Sequence, residues 1–182
     1  HMPRSLLVVA FAAILASAAS AQQVLDQPLT YPASDWSRFE GQQAGDWVVH
    51  ENGFGGEDRI EVRSLDPEAR TIVLDQLVEG MILRQTIRCT GPDREGAAPG
   101  PVAEGDEVVT IGGREFASHW VETRPPCEFG ELVEKTWYSK EVPVVGLDGD
   151  AAHGGVLRFE AAVDGERTNS SYALLSFGRA GD

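Results

Sequence analysis

The dipeptide Gly112-Gly113 constrains this chain more than any other feature, because it separates two runs whose composition is that of strands. Before it stands Glu107-Val108-Val109-Thr110-Ile111, and after it Arg114-Glu115-Phe116-Ala117-Ser118-His119-Trp120-Val121-Glu122-Thr123-Arg124. A two-residue connection between antiparallel strands needs positive φ at its centre, a conformation that glycine adopts without steric cost. The pattern therefore predicts a hairpin. Thr136-Trp137-Tyr138-Ser139-Lys140-Glu141-Val142-Pro143 and Gly154-Gly155-Val156-Leu157-Arg158-Phe159-Glu160 supply further antiparallel partners.

Along the rest of the chain the hydrophobic period is two. Trp47 and Val49 alternate with Val48 and His50, and Ile60 and Val62 alternate with Arg59, Glu61 and Arg63. After the apolar run Arg70 to Val78, Met81, Leu83, Ile87 and Cys89 fall on one face and Arg84, Thr86 and Arg88 on the other. Such alternation marks sheets with one wet face and one core face. Asn52-Gly53, Asp66-Pro67 and Asp164-Gly165 punctuate the strands, and Arg167 to Phe177 reads as the last of them. The fold predicted is mainly β: a curved antiparallel sheet, half-barrel or open barrel, of about eight or nine strands. Within a polar segment over residues 22–44, Ser34 as N-cap with Trp36 and Phe39 on one face predicts a short N-terminal helix. Residues 45–182 form the β domain.

Residues 1–21 read as a cleavable signal peptide: basic Arg4, an apolar run from Leu6 to Leu15, and Ala19-Ser20-Ala21 as a small-x-small cleavage site. The run is shorter than the roughly 20 residues that span a bilayer. A periplasmic or secreted location follows, with no membrane span in the mature chain. The formal net charge of −14 argues against nucleic acid and anionic membranes as partners. In an oxidising compartment Cys89 and Cys127 are expected to pair, closing the Gly/Pro/Ala-rich loop Gly91 to Gly105 and contributing roughly 3–4 kcal/mol.

Four segments in order carry a resemblance: Ala44-Gly45-Asp46-Trp47-Val48, Trp120-Val121-Glu122-Thr123, Trp137 to Pro143 and Gly154 to Phe159. Over residues 44–178 the chain resembles a group of exported bacterial β-proteins of unassigned function. That group is in turn similar to the half-barrel proteins of the lipoprotein-carrier and lipoprotein-localisation (LolA-like) type. The resemblance implies an apolar cleft for an acyl chain or lipid. In the group Val-Pro runs almost directly into Gly-Gly, whereas here residues 144–153 intervene. That insertion is expected to be a surface loop whose removal leaves stability nearly unchanged. A sequon at Asn169 is expected to be idle in a bacterial protein.

No nucleophile elbow, phosphate loop, dinucleotide fingerprint or HExxH motif occurs, so a non-enzymatic role is favoured. Trp47, Trp120, Trp137, Tyr138 and Phe159 all fall on strands, where they either build the core or line a pocket for a hydrophobic ligand. Asp148, Asp150 and His153 share a glycine-flexed loop and are the candidate ligands of a divalent cation, though without EF-hand spacing. Glu115, Glu122, Glu131 and Glu134 are candidate acid–base carboxylates, and His119 reads as a strand residue beside Trp120. The function expected is binding of a hydrophobic small molecule, a lipid or an envelope protein on a curved sheet. A carboxylate- or cation-dependent hydrolase and a structural envelope protein are the alternatives.

Overall fold

The computed structural model describes residues 23–78, 80–93 and 100–181. Residues 1–21, read above as a signal peptide, and residues 94–99 within the expected Gly/Pro loop lie outside the described residues. The strands are β1 (Val24–Pro32), β2 (Trp47–Glu51), β3 (Glu57–Asp66), β4 (Thr71–Val78), β5 (Met81–Gly91) and β6 (Ala103–Ile111). They continue with β7 (Arg114–Thr123), β8 (Leu132–Ser139), β9 (Gly155–Val163), β10 (Glu166–Arg167) and β11 (Tyr172–Gly178).

All join one open sheet in the order β1-β5-β4-β3-β2-β11-β9-β8-β7-β6, with β10 paired to β9 off this path. Pairing is antiparallel except between β1 and β5. The central hairpin forms as its glycines dictate. Gly112 and Gly113 take φ of 56° and 83°, and the register then runs from Ile111 opposite Arg114 to Ala103 opposite Glu122.

The described residues hold eleven strands, more than the alternation alone suggests. The largest addition is β1, which lies within the segment read as polar. Its side chains are mostly exposed and it contains Pro28, so it lacks the signature of a half-buried strand. An edge position accommodates both features, because one side of an edge strand needs no ladder hydrogen bonds. The last strand is also divided. Between β10 and β11, Ser171 turns inward, and its buried hydroxyl accepts a hydrogen bond from the Ala161 N–H at 3.1 Å. The short helix is a 3-10 helix, Ala33–Phe39, which follows β1 instead of opening the chain. It has no side-chain N-cap, since the residue before it is Pro32; the Ser34 N–H donates instead to Asp93 at 3.0 Å.

Register gathers Val48, Ile60, Val62, Leu74, Ile87 and Cys89 on one face, with Leu29 opposite Ile87 and Tyr31 opposite Cys89. Phe39 packs into this core with Trp36 beside it. Asp26, Arg84 and Asp75 line up across the other face. There the Arg84 guanidinium grips Asp75 with two bonds of 2.7 and 3.0 Å and holds its carboxyl below the usual range. At the far side of the sheet Phe116 on β7 meets Phe177 on β11 with ring centroids 6.3 Å apart. β7 and β11 are three places apart in the strand order, so this ring contact reaches across β8 and β9.

The segment between β8 and β9 does not behave as a surface loop. Val142 and Val145 are 1% and 7% exposed and belong to the hydrophobic core. The side-chain amide of Gln42, itself buried, brackets Gly146: its Nε2 donates to the Gly146 carbonyl at 2.9 Å and its Oε1 accepts from the Gly146 N–H at 3.1 Å. The insertion is thus core at its first half and surface only at its second. The sequence pattern hid this because Val144-Val145-Gly146-Leu147 is too short to show a period.

The expected disulfide is absent as well. Cys89 and Cys127 are free thiols, Cys89 buried and Cys127 half-buried. Only one loop and one hairpin separate them in sequence, yet β5 and β7 lie near opposite ends of the strand order. A disulfide needs Cα atoms within about 7 Å. Burial also raises the Cys89 thiol above its ordinary pKa, which removes the reactive thiolate.

Two outcomes follow. Deleting residues 145–152 removes a buried valine and strands a buried glutamine, which together contribute about 3 kcal/mol; calorimetry should show Tm lowered by roughly 6–12 °C. An unchanged Tm would place the segment outside the core. Thiol labelling without reductant should modify Cys127 in the native protein and both cysteines after denaturation, whereas no labelling after denaturation would restore the bridge.

Candidate functional site

The hairpin and the segment after β8 meet at a cleft of about 650 Å³. Asp106, Glu107 and Val108 of β6, Ala117, Ser118 and His119 of β7, and Tyr138 and Ser139 of β8 line it, together with Lys140, Glu141 and His153. Two local devices bring His153 there. The buried Val142 and Val145 fix the first half of the segment, and Gly154 and Gly155 let its end press back onto it. A Cβ at Gly154 would lie 2.1 Å from the Ser139 carbonyl oxygen, and one at Gly155 2.1 Å from that of Pro143.

At the centre of the cleft two imidazoles stack. The rings of His119 and His153 lie 4.1 Å apart at an interplanar angle of 10°. Each has its own carboxylate: His119 Nδ1 is 2.9 Å from Asp106, and His153 Nδ1 is 2.8 Å from Asp150. A carboxylate beside Nδ1 accepts a hydrogen bond from the Nδ1–H, and in that tautomer of the neutral ring Nε2 carries the lone pair. His119 Nε2 is buried and has no hydrogen-bond partner among the described residues; Glu104 Oε2 stands 3.9 Å away. Such an atom is an acceptor awaiting a donor from the cleft.

The two serines of the lining are not paired with the imidazoles. The Ser118 hydroxyl donates to the Glu107 carbonyl at 2.8 Å, and Ser139 Oγ accepts from the Glu141 N–H at 3.3 Å, so neither hydroxyl addresses an imidazole. The acidic side chains of the lining are likewise engaged. Asp106 holds His119, Glu107 accepts from the Trp137 indole, and Glu141 pairs with Arg114 at 2.7 Å. Lys140 is exposed and is the cation of the lining.

Of the five aromatic residues singled out from sequence, four lie outside the lining of this cleft. Tyr138 lines it, with its ring 6.2 Å from that of His153. Trp120 and Trp137 face each other across β7 and β8, and the Lys135 ammonium lies 3.9 and 4.6 Å from their ring centroids. Trp137 is buried, Trp47 lies under the Arg59 guanidinium at 4.2 Å, and Phe159 stacks on Tyr172 at 5.2 Å. These are packing and cation–π roles.

The proposed cation ligands are engaged with other partners. Asp148 accepts from the Tyr172 hydroxyl at 3.0 Å, while Asp150 and His153 pair with each other. No three His, Cys, Asp or Glu side chains form a metal-holding group among the described residues. Of the four candidate acid–base glutamates, Glu122 and Glu131 both bond Arg124, and Glu134 accepts weakly from Thr123.

Asp106 and Lys140 are residues that sequence reasoning did not reach, while His119, read as a strand residue beside Trp120, lies on β7 as expected but with a place in the cleft that the sequence did not show. One signal was present: a turn centred on Gly112-Gly113 places Asp106 directly opposite His119. The stacking of His119 on His153 had no such signal, because it depends on how the inserted segment folds back. No protein-family model matches this chain, and neither does any curated protein or solved structure.

Proposed function

We propose that this chain is an exported, non-enzymatic binding protein of the curved half-barrel kind, and that it holds a small amphiphile in the cleft beside His119. The observation that carries this reading is the cleft's two-sided chemistry. Val108, Ala117 and the Tyr138 ring offer an apolar wall, while His119 Nε2 offers an acceptor and Lys140 a positive charge. A volume of about 650 Å³ lies in the ordinary range for a small-molecule site. The ligand class is therefore an apolar body with an anionic or hydroxyl-bearing head. The resemblance to lipoprotein carriers agrees with an apolar body, although the site lies beside the aromatic ladder and not on it.

An anilinonaphthalene sulfonate probe has both features. Fluorescence titration should show saturable binding, weakened about tenfold by Lys140→Ala or Tyr138→Ala, which corresponds to about 1.4 kcal/mol each. Trp47→Ala should leave the affinity unchanged, because Trp47 packs under Arg59 away from the cleft lining. Lack of saturation, or equal loss in Trp47→Ala, would remove the reading.

A further inference from the structure

We propose that β6, the last strand of the sheet path, is a docking edge for an extended cationic segment of a partner protein, which adds to it as an antiparallel strand. The edge adjoins the cleft described above, but the inference needs no amphiphile bound there.

The strand path ends at β1 and at β6, each with one flank to which no strand of the described residues is paired. β1 contains Pro28 and ends at Pro32, and neither has the N–H that a ladder needs. β6 has no proline over its nine residues. Both glycines of its turn take positive φ, the type I′ geometry in which the flanking residues, here Ile111 and Arg114, exchange both hydrogen bonds. Bonded positions then alternate along the strand. Ile111, Val109, Glu107 and Gly105 turn their peptide groups toward β7, whereas Thr110, Val108, Asp106 and Glu104 turn theirs outward. The outward set is also the exposed one: Glu104, Asp106, Val108 and Thr110 are all open to solvent.

Residues two apart on a strand share a face, so an added strand sets one residue directly opposite each of these positions, on the side of the sheet that carries His119. The Glu104 and Asp106 side chains are 60% and 87% exposed, and β6 has no Lys or Arg of its own to neutralise them. Asp106 spends one oxygen on His119 Nδ1 and keeps lone pairs for a second donor. Val108, 65% exposed, stands next to them in the cleft wall. Antiparallel addition continues the pairing of every neighbouring strand on this side of the sheet. The matching segment therefore carries, at every second position from its N-terminal end, an apolar residue against Val108, then Lys or Arg against Asp106, then Lys or Arg against Glu104. Opposite charges on facing positions stabilise a strand pair and like charges destabilise it. That disfavours a second copy as the occupant, because β6 against β6 gathers the Glu104 and Asp106 carboxylates of both copies on one face, between chains of net charge −14.

Fluorescence anisotropy tests this, with the purified full chain titrated into a labelled, end-capped peptide in which threonines alternate with leucine, lysine and lysine in that order. Saturable binding is expected, weakened about threefold by Glu104→Gln and again by Asp106→Asn. Thr110→Pro should abolish it. That N–H faces solvent and Thr110 is not part of the cleft lining, so the variant keeps its fold and its affinity for the sulfonate probe. Hydrogen exchange followed by NMR should show the amides of Glu104, Asp106, Val108 and Thr110 slowed by the peptide, while those of Gly105, Glu107 and Val109 are slow with or without it. No saturable binding, full binding in Thr110→Pro, equal binding of a peptide with glutamate in place of lysine, or unchanged exchange at the four outward amides would overturn the proposal. So would a dimer of the free chain that Thr110→Pro dissolves in sedimentation, since it gives the edge to a second copy. The sulfonate probe is titrated separately into the same variants, so failure of the edge and failure of the cleft are read apart.

Discussion

The side chain of Gln42 holds together the parts of this molecule that strand pairing alone would leave apart. Its amide is 4% exposed and makes three bonds: to the Arg38 carbonyl, to the Gly146 carbonyl and from the Gly146 N–H. A buried primary amide facing a backbone peptide with both its donor and its acceptor satisfies four polar groups at once. Removing it would leave the Gly146 peptide unsatisfied in the interior, at a cost of about 1–3 kcal/mol for each stranded group. The clamp joins the end of the 3-10 helix, which roofs the β1–β5 half of the core, to the segment that crosses over from β8 to β9.

The cleft inherits its geometry from that junction. With Gly146 fixed and Val142 and Val145 sunk in the core, the second half of the crossover has little freedom. Asp148 ties to Tyr172 and Asp150 to His153, and the His153 ring comes to rest on His119. The other wall owes nothing to the clamp. It comes from the hairpin register, which sets Asp106 across from His119 as soon as the turn forms at Gly112-Gly113. Two independent devices therefore meet at one stacked pair of rings.

This division explains what the sequence reveals. Turn chemistry is local, so the hairpins at Gly112-Gly113 and Asp164-Gly165 are legible, with Asp164 and Gly165 at φ of 51° and 84°. Alternation is also local, and it marks most of the ladder from β2 to β9. What escapes are features decided by distant partners. β1 is a strand because β5 accepts it at the edge, not because its own residues alternate. The cysteines look paired along the chain and stand far apart in the strand order. Asp148, Asp150 and His153 look like one cluster in sequence, but Tyr172, from the last strand, bonds Asp148 while Asp150 and His153 pair with each other. The tryptophans read from sequence as either core or pocket, and the cations Lys135, Arg158 and Arg59 that lie over their rings could not be placed by local pattern.

The central claim is that a core contact, the Gln42–Gly146 clamp, assembles the site at which His119 and His153 meet. Proton–proton Overhauser contacts between the two imidazole rings measure this directly. The wild-type protein should show cross-peaks between the ring protons of His119 and His153. Gln42→Ala should lose them while keeping the amide pattern of the β6–β7 hairpin, because that hairpin is built without the clamp. Cross-peaks of equal strength in Gln42→Ala, or none in the wild type, would contradict the account.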